Sequence, residues 1–152
     1  MLGLGSIGAP MARHLIAKGY SVSGYDPQEP ARRTAADFGV QMADSAREVA
    51  HSAELVIIVV GFDHEVETVM FGPQGVMESA RSGLIVAVGS TIAPRSAKQL
   101  AQRASRRGVL LLDAPLARGE AAAIAGKLLV FGAGDEAAFE KVPARSARLS
   151  IT

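Results

Sequence analysis

The sequence predicts an α/β fold: a doubly wound, mostly parallel sheet with helices on both faces. Three observations carry this. A glycine turn, Gly3-Leu4-Gly5-Ser6-Ile7-Gly8, runs straight into a segment of helical period. Two unbroken apolar runs, Leu55–Val60 and Leu84–Val88, have the composition of strands buried on both faces. Between and after them, helix-like and strand-like segments alternate along the chain. The 152 residues suffice for one domain, and 49% hydrophobic residues with only 5% aromatic ones make an aliphatic core.

The opening strand is reduced to Met1-Leu2, where about five residues are expected, so its neighbours in the sheet should lack backbone partners. In the glycine turn, Gly3 permits the turn out of the strand. Gly5 lets a phosphate approach the backbone, and Gly8 lets the helix pack on the sheet. Ile7, Met11 and Leu15 form one apolar stripe, and Gly19 closes the helix. Ser21–Tyr25 reads as a strand ending at Asp26, which stands 18 residues after Gly8, where an acidic side chain holds a ribose in dinucleotide folds. A turn or capping role before Pro27 is the other reading of Asp26.

Glu29–Phe38 reads as a helix with Pro30 in its first turn, followed by a short strand at Val40–Met42. Ser45 and Glu48 form a capping-box pattern for the next helix. After the Leu55–Val60 strand, a helix runs from about His64 to Met70. After Leu84–Val88, Pro94 opens a helix whose inner stripe is Ala97, Leu100, Ala101 and Ala104; Arg103, Arg106 and Arg107 suit its C-terminal dipole. Val109–Leu112 and Leu128–Phe131 read as the last strands. Asp135 caps a short helix ending near Val142.

The remaining composition excludes several classes. A net charge of +1 makes no bulk case for nucleic acid or a membrane surface. No apolar run reaches the roughly 20 residues of a membrane span, and no signal peptide precedes the glycine turn. The absence of cysteine removes disulfides and thiolate chemistry and suits a cytoplasmic protein. His14, His51 and His64 are scattered, so no metal site is expected. In a sheet of this kind ligands bind beyond the carboxyl ends of the strands, here the loops Gly3–Gly8, Gly61–Asp63, Gly89–Thr91 and Asp113–Gly119.

Three motifs in order, the glycine turn with Met11-Ala12 and Leu15, Gly89-Ser90-Thr91-Ile92-Ala93-Pro94, and Asp113-Ala114-Pro115 with Gly119, Ala122, Gly126 and Leu128, resemble the β-hydroxyacid dehydrogenases. That family includes 3-hydroxyisobutyrate, tartronate semialdehyde and 6-phosphogluconate type enzymes. The resemblance implies a Rossmann-like NAD(P)-binding domain over residues 1–142 and hydride transfer between a nicotinamide and a small β-hydroxy acid. It places the cofactor on Gly3, Leu4, Gly5, Ser6, Ile7, Gly8 and Asp26, on the loop Gly61-Phe62, and on Thr91 near the nicotinamide ribose. Asp26 matches NAD-preferring members. Arg32 and Arg33 downstream keep NADP open, although exposed helix charges are the preferred explanation of them.

The chain departs from the family in two places. Where many members read D-A-P-V-S-G-G, this sequence has Asp113-Ala114-Pro115-Leu116-Ala117-Arg118-Gly119. Ala117 has no hydroxyl for the substrate carboxylate, and Arg118 offers a bidentate guanidinium instead. The family's catalytic lysine lies on a later helix, followed by an all-helical domain that completes the site and a homo-oligomer. Residues 1–152 include neither. Lys98, Lys127 and Lys141 lack the motif, and 143–152 form an atypical tail that a truncation or frameshift would produce. Two alternatives follow: a dinucleotide-binding module without catalysis, and an imine or aldehyde reductase relative.

Overall fold

The computed structural model describes residues 1–134 and 136–142. After the glycine turn come α1 (Gly8–Ala17), β1 (Ser23–Gly24), α2 (Glu29–Asp37), β2 (Gln41–Met42), α3 (Ala46–Ser52), β3 (Leu55–Ile58) and α4 (Asp63–Phe71). A 3-10 turn at Val76–Glu78 leads to β4 (Ile85–Val88), α5 (Pro94–Ser105) and β5 (Leu110–Asp113). The chain continues through β6 (Leu116–Ala117), α6 (Gly119–Ile124), β7 (Leu129–Val130), β8 (Ala133–Gly134) and α7 (Glu136–Lys141). No helix among the described residues is long and apolar enough to cross a membrane.

The local signals act as read. Ser45 Oγ accepts the amide of Glu48 at 3.1 Å, and Glu48 reaches back to the amide of Asp44 at 2.8 Å. Pro30 and Pro94 sit in first turns, where a missing N–H costs nothing. Arg103, in the last turn of α5, also pairs with Glu67, its guanidinium 3.8 Å from the centre of the Phe71 ring.

β3, β4 and β5 form a parallel ladder, Ile58 opposite Val88 and Val88 opposite Asp113. β8 adds antiparallel to β5, and β1 pairs in parallel with β2. Leu2 joins these two sheets by bridging Tyr25 on one side and Ile58 on the other. Its amide donates to Ile57 O at 2.8 Å, its carbonyl accepts from Val59 N at 2.8 Å, and Tyr25 N donates to Met1 O at 3.0 Å. The expectation of flanking strands without partners is therefore corrected where Met1, Leu2 and Gly3 reach them. Leu2 turns both its backbone groups to β3, while Met1 O and Gly3 N face Tyr25, so this short segment makes the sheet continuous. The Met1 amine donates to Ser23 O at 2.7 Å, and burial pushes it down to about 5.

Across the sheet the order is β2, β1, Leu2, β3, β4, β5, β8. The direction of winding reverses at Leu2, directly below the glycine turn. Alternate strand residues feed opposite faces. Val56, Ile58, Val86 and Val88 pack with α3, α4 and α5. On the other side α1 and α2 cover Leu4, Val22 and Val40, while α7 covers Ile85 and Leu112.

Two expectations near the end of the described chain change. The Leu128–Phe131 run does not join the main sheet; β7 pairs antiparallel with β6 outside it. The main sheet instead ends on β8, where the sequence carries no strand signal. A Cβ on Gly134 would lie 2.8 Å from Leu111 O, so only glycine fits against β5 there. The Asp135 cap and the tail 143–152 lie outside the described residues.

Candidate functional site

The glycine turn is held from both sides. A Cβ on Gly3, whose φ is +85°, would stand 2.0 Å from Val59 O, and one on Gly8 would stand 2.0 Å from Gly3 O. Both glycines are demanded by the protein's own packing. Gly5 is different: a Cβ there meets nothing within 4 Å. The space in front of it is open.

Helix α1 begins immediately behind. Ala9 N donates to Gly5 O and Met11 N to Ile7 O, while the amides of Gly5, Ser6, Ile7 and Gly8 have no acceptor among the described residues. No acidic side chain occupies the first turn of α1. Consecutive free N–H groups at the positive end of a helix dipole favour an anion.

Asp26 braces this turn. Its Oδ2 accepts Leu4 N at 2.8 Å and its Oδ1 accepts Gln28 N at 2.8 Å. The second bond is the turn role weighed from sequence; the first ties the end of β1 to the glycine loop. Asp26 is 8% exposed, and each carboxylate oxygen retains a further lone pair for a hydroxyl. Arg32 lies near Glu29 and Asp44 and over the Tyr25 ring, and Arg33 pairs with Glu29 at 3.0 Å. Both arginines have acidic partners of their own.

The next two loops are fastened to one another. Ser90 Oγ, buried, accepts Val60 N at 2.8 Å. Asp63 Oδ2 accepts Ala93 N at 3.1 Å and the Ser96 hydroxyl at 2.6 Å. Those bonds, the Ser96 hydroxyl first, hold the Asp63 carboxyl below the usual carboxylate range. Glu65 Oε2 takes the amides of Gly61 and Phe62 at 2.8 and 3.0 Å. These amides are thereby spent within the loop. Phe62 projects 64% exposed and stacks on His64 with centroids 5.6 Å apart. Thr91 is exposed beside the fastened pair.

The third loop joins through Leu116, whose amide donates to Gly89 O at 3.2 Å. Ala117 is half-buried in β6. Arg118 is exposed in left-handed geometry, φ +80°, and Gly119 follows at φ +66°. Arg118 has no ion-pair partner among the described residues. Burial raises the carboxyl of Asp113, at the end of β5. A cleft of about 460 Å³ opens between α1, α2 and α6. It touches Leu4, Gly5 and Ser6, but not Asp26, Gly61, Phe62, Thr91 or Arg118.

The fold thus brings the glycine turn and Asp26 into direct contact, and pins Gly61-Phe62 to the Thr91 loop. It leaves Ala117, Arg118 and Gly119 on a separate hairpin. Asp63 and Ser90 lie in loops and a motif that the sequence singles out, but they and Glu65 gain roles of their own only in the structure. Acidic residues at the first and third positions of α4 are a helix-start signal that pointed to two of them; nothing local pointed to the bond between Ser90 and Val60.

Free amides at a helix start, placed where the strand order reverses, define a dinucleotide-binding α/β domain. Residues 1–145 match the family described as the NAD binding domain of 6-phosphogluconate dehydrogenase, and the chain belongs to that family. It is 36% identical over 140 residues to the NAD-dependent L-serine dehydrogenase of Pseudomonas aeruginosa, covering 92% of this chain and 47% of that one. A solved 3-hydroxyisobutyrate dehydrogenase of Mycobacterium tuberculosis, with L-serine, superposes with a TM-score of 0.87 at 34% identity, over 95% of this chain and 48% of that one. An imine reductase of Myxococcus stipitatus in complex with NAD+ has the same fold, with a TM-score of 0.82 over 95% of this chain and 48% of that one, at 19% identity. The chain spans about half the length of the curated relatives it matches.

Proposed function

We propose that residues 1–142 hold NAD, and that the protein to which they belong oxidises a small β-hydroxy acid. The observation that carries the reading is the run of amides from Gly5 to Gly8 without an acceptor among the described residues, beside a Gly5 whose missing side chain leaves open space. In this reading those amides, with Gly3 and Leu4 shaping the turn, take the pyrophosphate. Asp26 takes an adenosine ribose hydroxyl while keeping its bond to Leu4 N. Gly61, Phe62 and Thr91 line the rim where the fastened loops meet. When bound, the nicotinamide supplies the hydride acceptor or donor.

Arg118 is the group proposed for the substrate carboxylate, with Ala117 and Gly119 forming the backbone around it. Its exposure and lack of an ion-pair partner among the described residues support this, as does the bond from Leu116 to Gly89 that draws its hairpin toward the Thr91 loop. No lysine in residues 1–142 is given a catalytic role. A homo-oligomeric assembly and a cytoplasmic location belong to the same proposal and rest on the family resemblance.

Calorimetric titration of the 152-residue chain with NADH and, separately, NADPH tests the reading. NADH should bind more tightly, because Asp26 opposes a 2′-phosphate and Arg32 and Arg33 already have acidic partners. Preference for NADPH would transfer the specificity to those arginines. Binding of neither would end the dinucleotide reading for this chain.

A further inference from the structure

α6 has only six residues and one buried side chain, Ala123, so neither its hydrogen-bond ladder nor its packing accounts for its position. Its C-terminal carbonyls can be followed one by one. Ala121 O accepts Ala125 N, Ala122 O accepts Lys127 N and Ala123 O accepts Gly126 N. The last, Ile124 O, is taken by α1. His14 Nε2 lies 2.9 Å from it and Arg13 Nη2 lies 3.1 Å from it. A carbonyl only accepts, so His14 Nε2 carries the hydrogen.

The contact is built on both sides. Gly126 turns back at φ +66° beneath the imidazole, and a Cβ there would come within 3.1–3.3 Å of the ring atoms. The Arg13 guanidinium also stands 5.4 Å from the centre of the Phe38 ring, so one side chain links α1, the end of α2 and α6. At the other end of α6, Arg118 holds its left-handed backbone between the β6–β7 ladder and the helix. A non-glycine residue persists there only when its surroundings over-determine it.

The geometry points to Arg13 and His14 as positioning residues that lock the Arg118 loop to the helix bearing the phosphate-binding turn. Occupancy at the start of α1 is thereby coupled to the placement of the Arg118 guanidinium. This rests on the proposed role of Arg118 in the carboxylate site; the lock itself does not.

Trypsin tests both parts on the 152-residue chain, because Arg107-Gly108 and Arg118-Gly119 offer the same pair of residues, each with an exposed arginine. Global unfolding opens both sites alike, so a rise in the ratio of their initial cleavage rates above the unfolded-state value reports local opening at Arg118. His14→Leu should raise Arg118 cleavage relative to Arg107 about tenfold, the size expected from releasing a locally anchored helix end. His14→Gln, which keeps a donor of similar reach, should restore the wild-type ratio. An unchanged ratio in His14→Leu overturns the lock; if that variant does not fold, His14→Asn, whose amide is too short to reach Ile124 O, is read in the same way. Saturating NADH should then slow Arg118 cleavage in the wild type and not in His14→Leu. Equal protection in both would overturn the coupling. Failure of NADH to bind at all would remove the dinucleotide reading, while the cleavage ratio still decides the lock.

Discussion

Asp26 Oδ2 accepts the amide of Leu4 at 2.8 Å, across 22 residues of chain. The bond fixes the glycine turn to the end of β1, so one carboxylate shapes the loop it is proposed to serve. Asp26→Ala should cost about 2 kcal/mol of stability, as expected for a buried hydrogen bond to a charged group. It should also weaken NADH binding. Chemical denaturation and calorimetry read the two effects separately; loss of affinity with unchanged stability would show that Asp26 does not brace the turn.

Gly3 and Gly5 should respond in opposite ways. Gly3→Ala drives a Cβ into Val59 O and should prevent stable folding. Gly5→Ala meets no protein atom, so its stability should stay within about 0.5 kcal/mol of wild type. Its NADH affinity should fall at least about tenfold because the added methyl stands where phosphate approaches. A Gly5→Ala chain that binds NADH normally would place the cofactor elsewhere.

Asp63 makes stability depend on acid. Its folded-state value is lowered, first by the Ser96 hydroxyl and then by the Ala93 amide. The contribution is therefore complete above the unfolded carboxylate range and lost as pH falls through the lower folded value. The melting-temperature gap between wild type and Asp63→Asn should be constant near neutrality and close below about pH 4. A gap that widens in acid would contradict the assigned direction.

Arg118 carries a backbone cost that glycine would not. Left-handed geometry costs about 1–2 kcal/mol for a residue with a Cβ, partly offset because glycine loses about 0.4–1 kcal/mol more chain entropy on folding. Arg118→Gly should thus be slightly more stable than wild type. In the protein that includes the rest of the catalytic machinery, the same change should raise KM for a hydroxy acid strongly. An unaltered KM would remove Arg118 from the carboxylate site.

The separation between what was legible in the sequence and what was not follows the range of the forces involved. Glycine turns, prolines in first turns, the Ser45–Glu48 cap and the apolar runs at Leu55 and Leu84 are local. Each acts within a few residues, so most of the helices, the parallel strands and the glycine turn are legible in the sequence, whereas α6 is not. Composition likewise settled the aliphatic core.

Contacts between distant residues were decided only by the tertiary structure. The short segment Met1 to Gly3 closes the sheet because both neighbouring strands offer it backbone groups, which no side-chain pattern encodes. The Leu128–Phe131 run was recognisable as a strand, but its partner was not, and it pairs with β6 while Gly134 takes the edge of β5. Ser90, Asp63 and His14 look ordinary in sequence. They acquire roles only where folding sets them against Val60, Ser96 and Ile124, because a hydrogen bond is specified by distance and direction in space and not by separation along the chain.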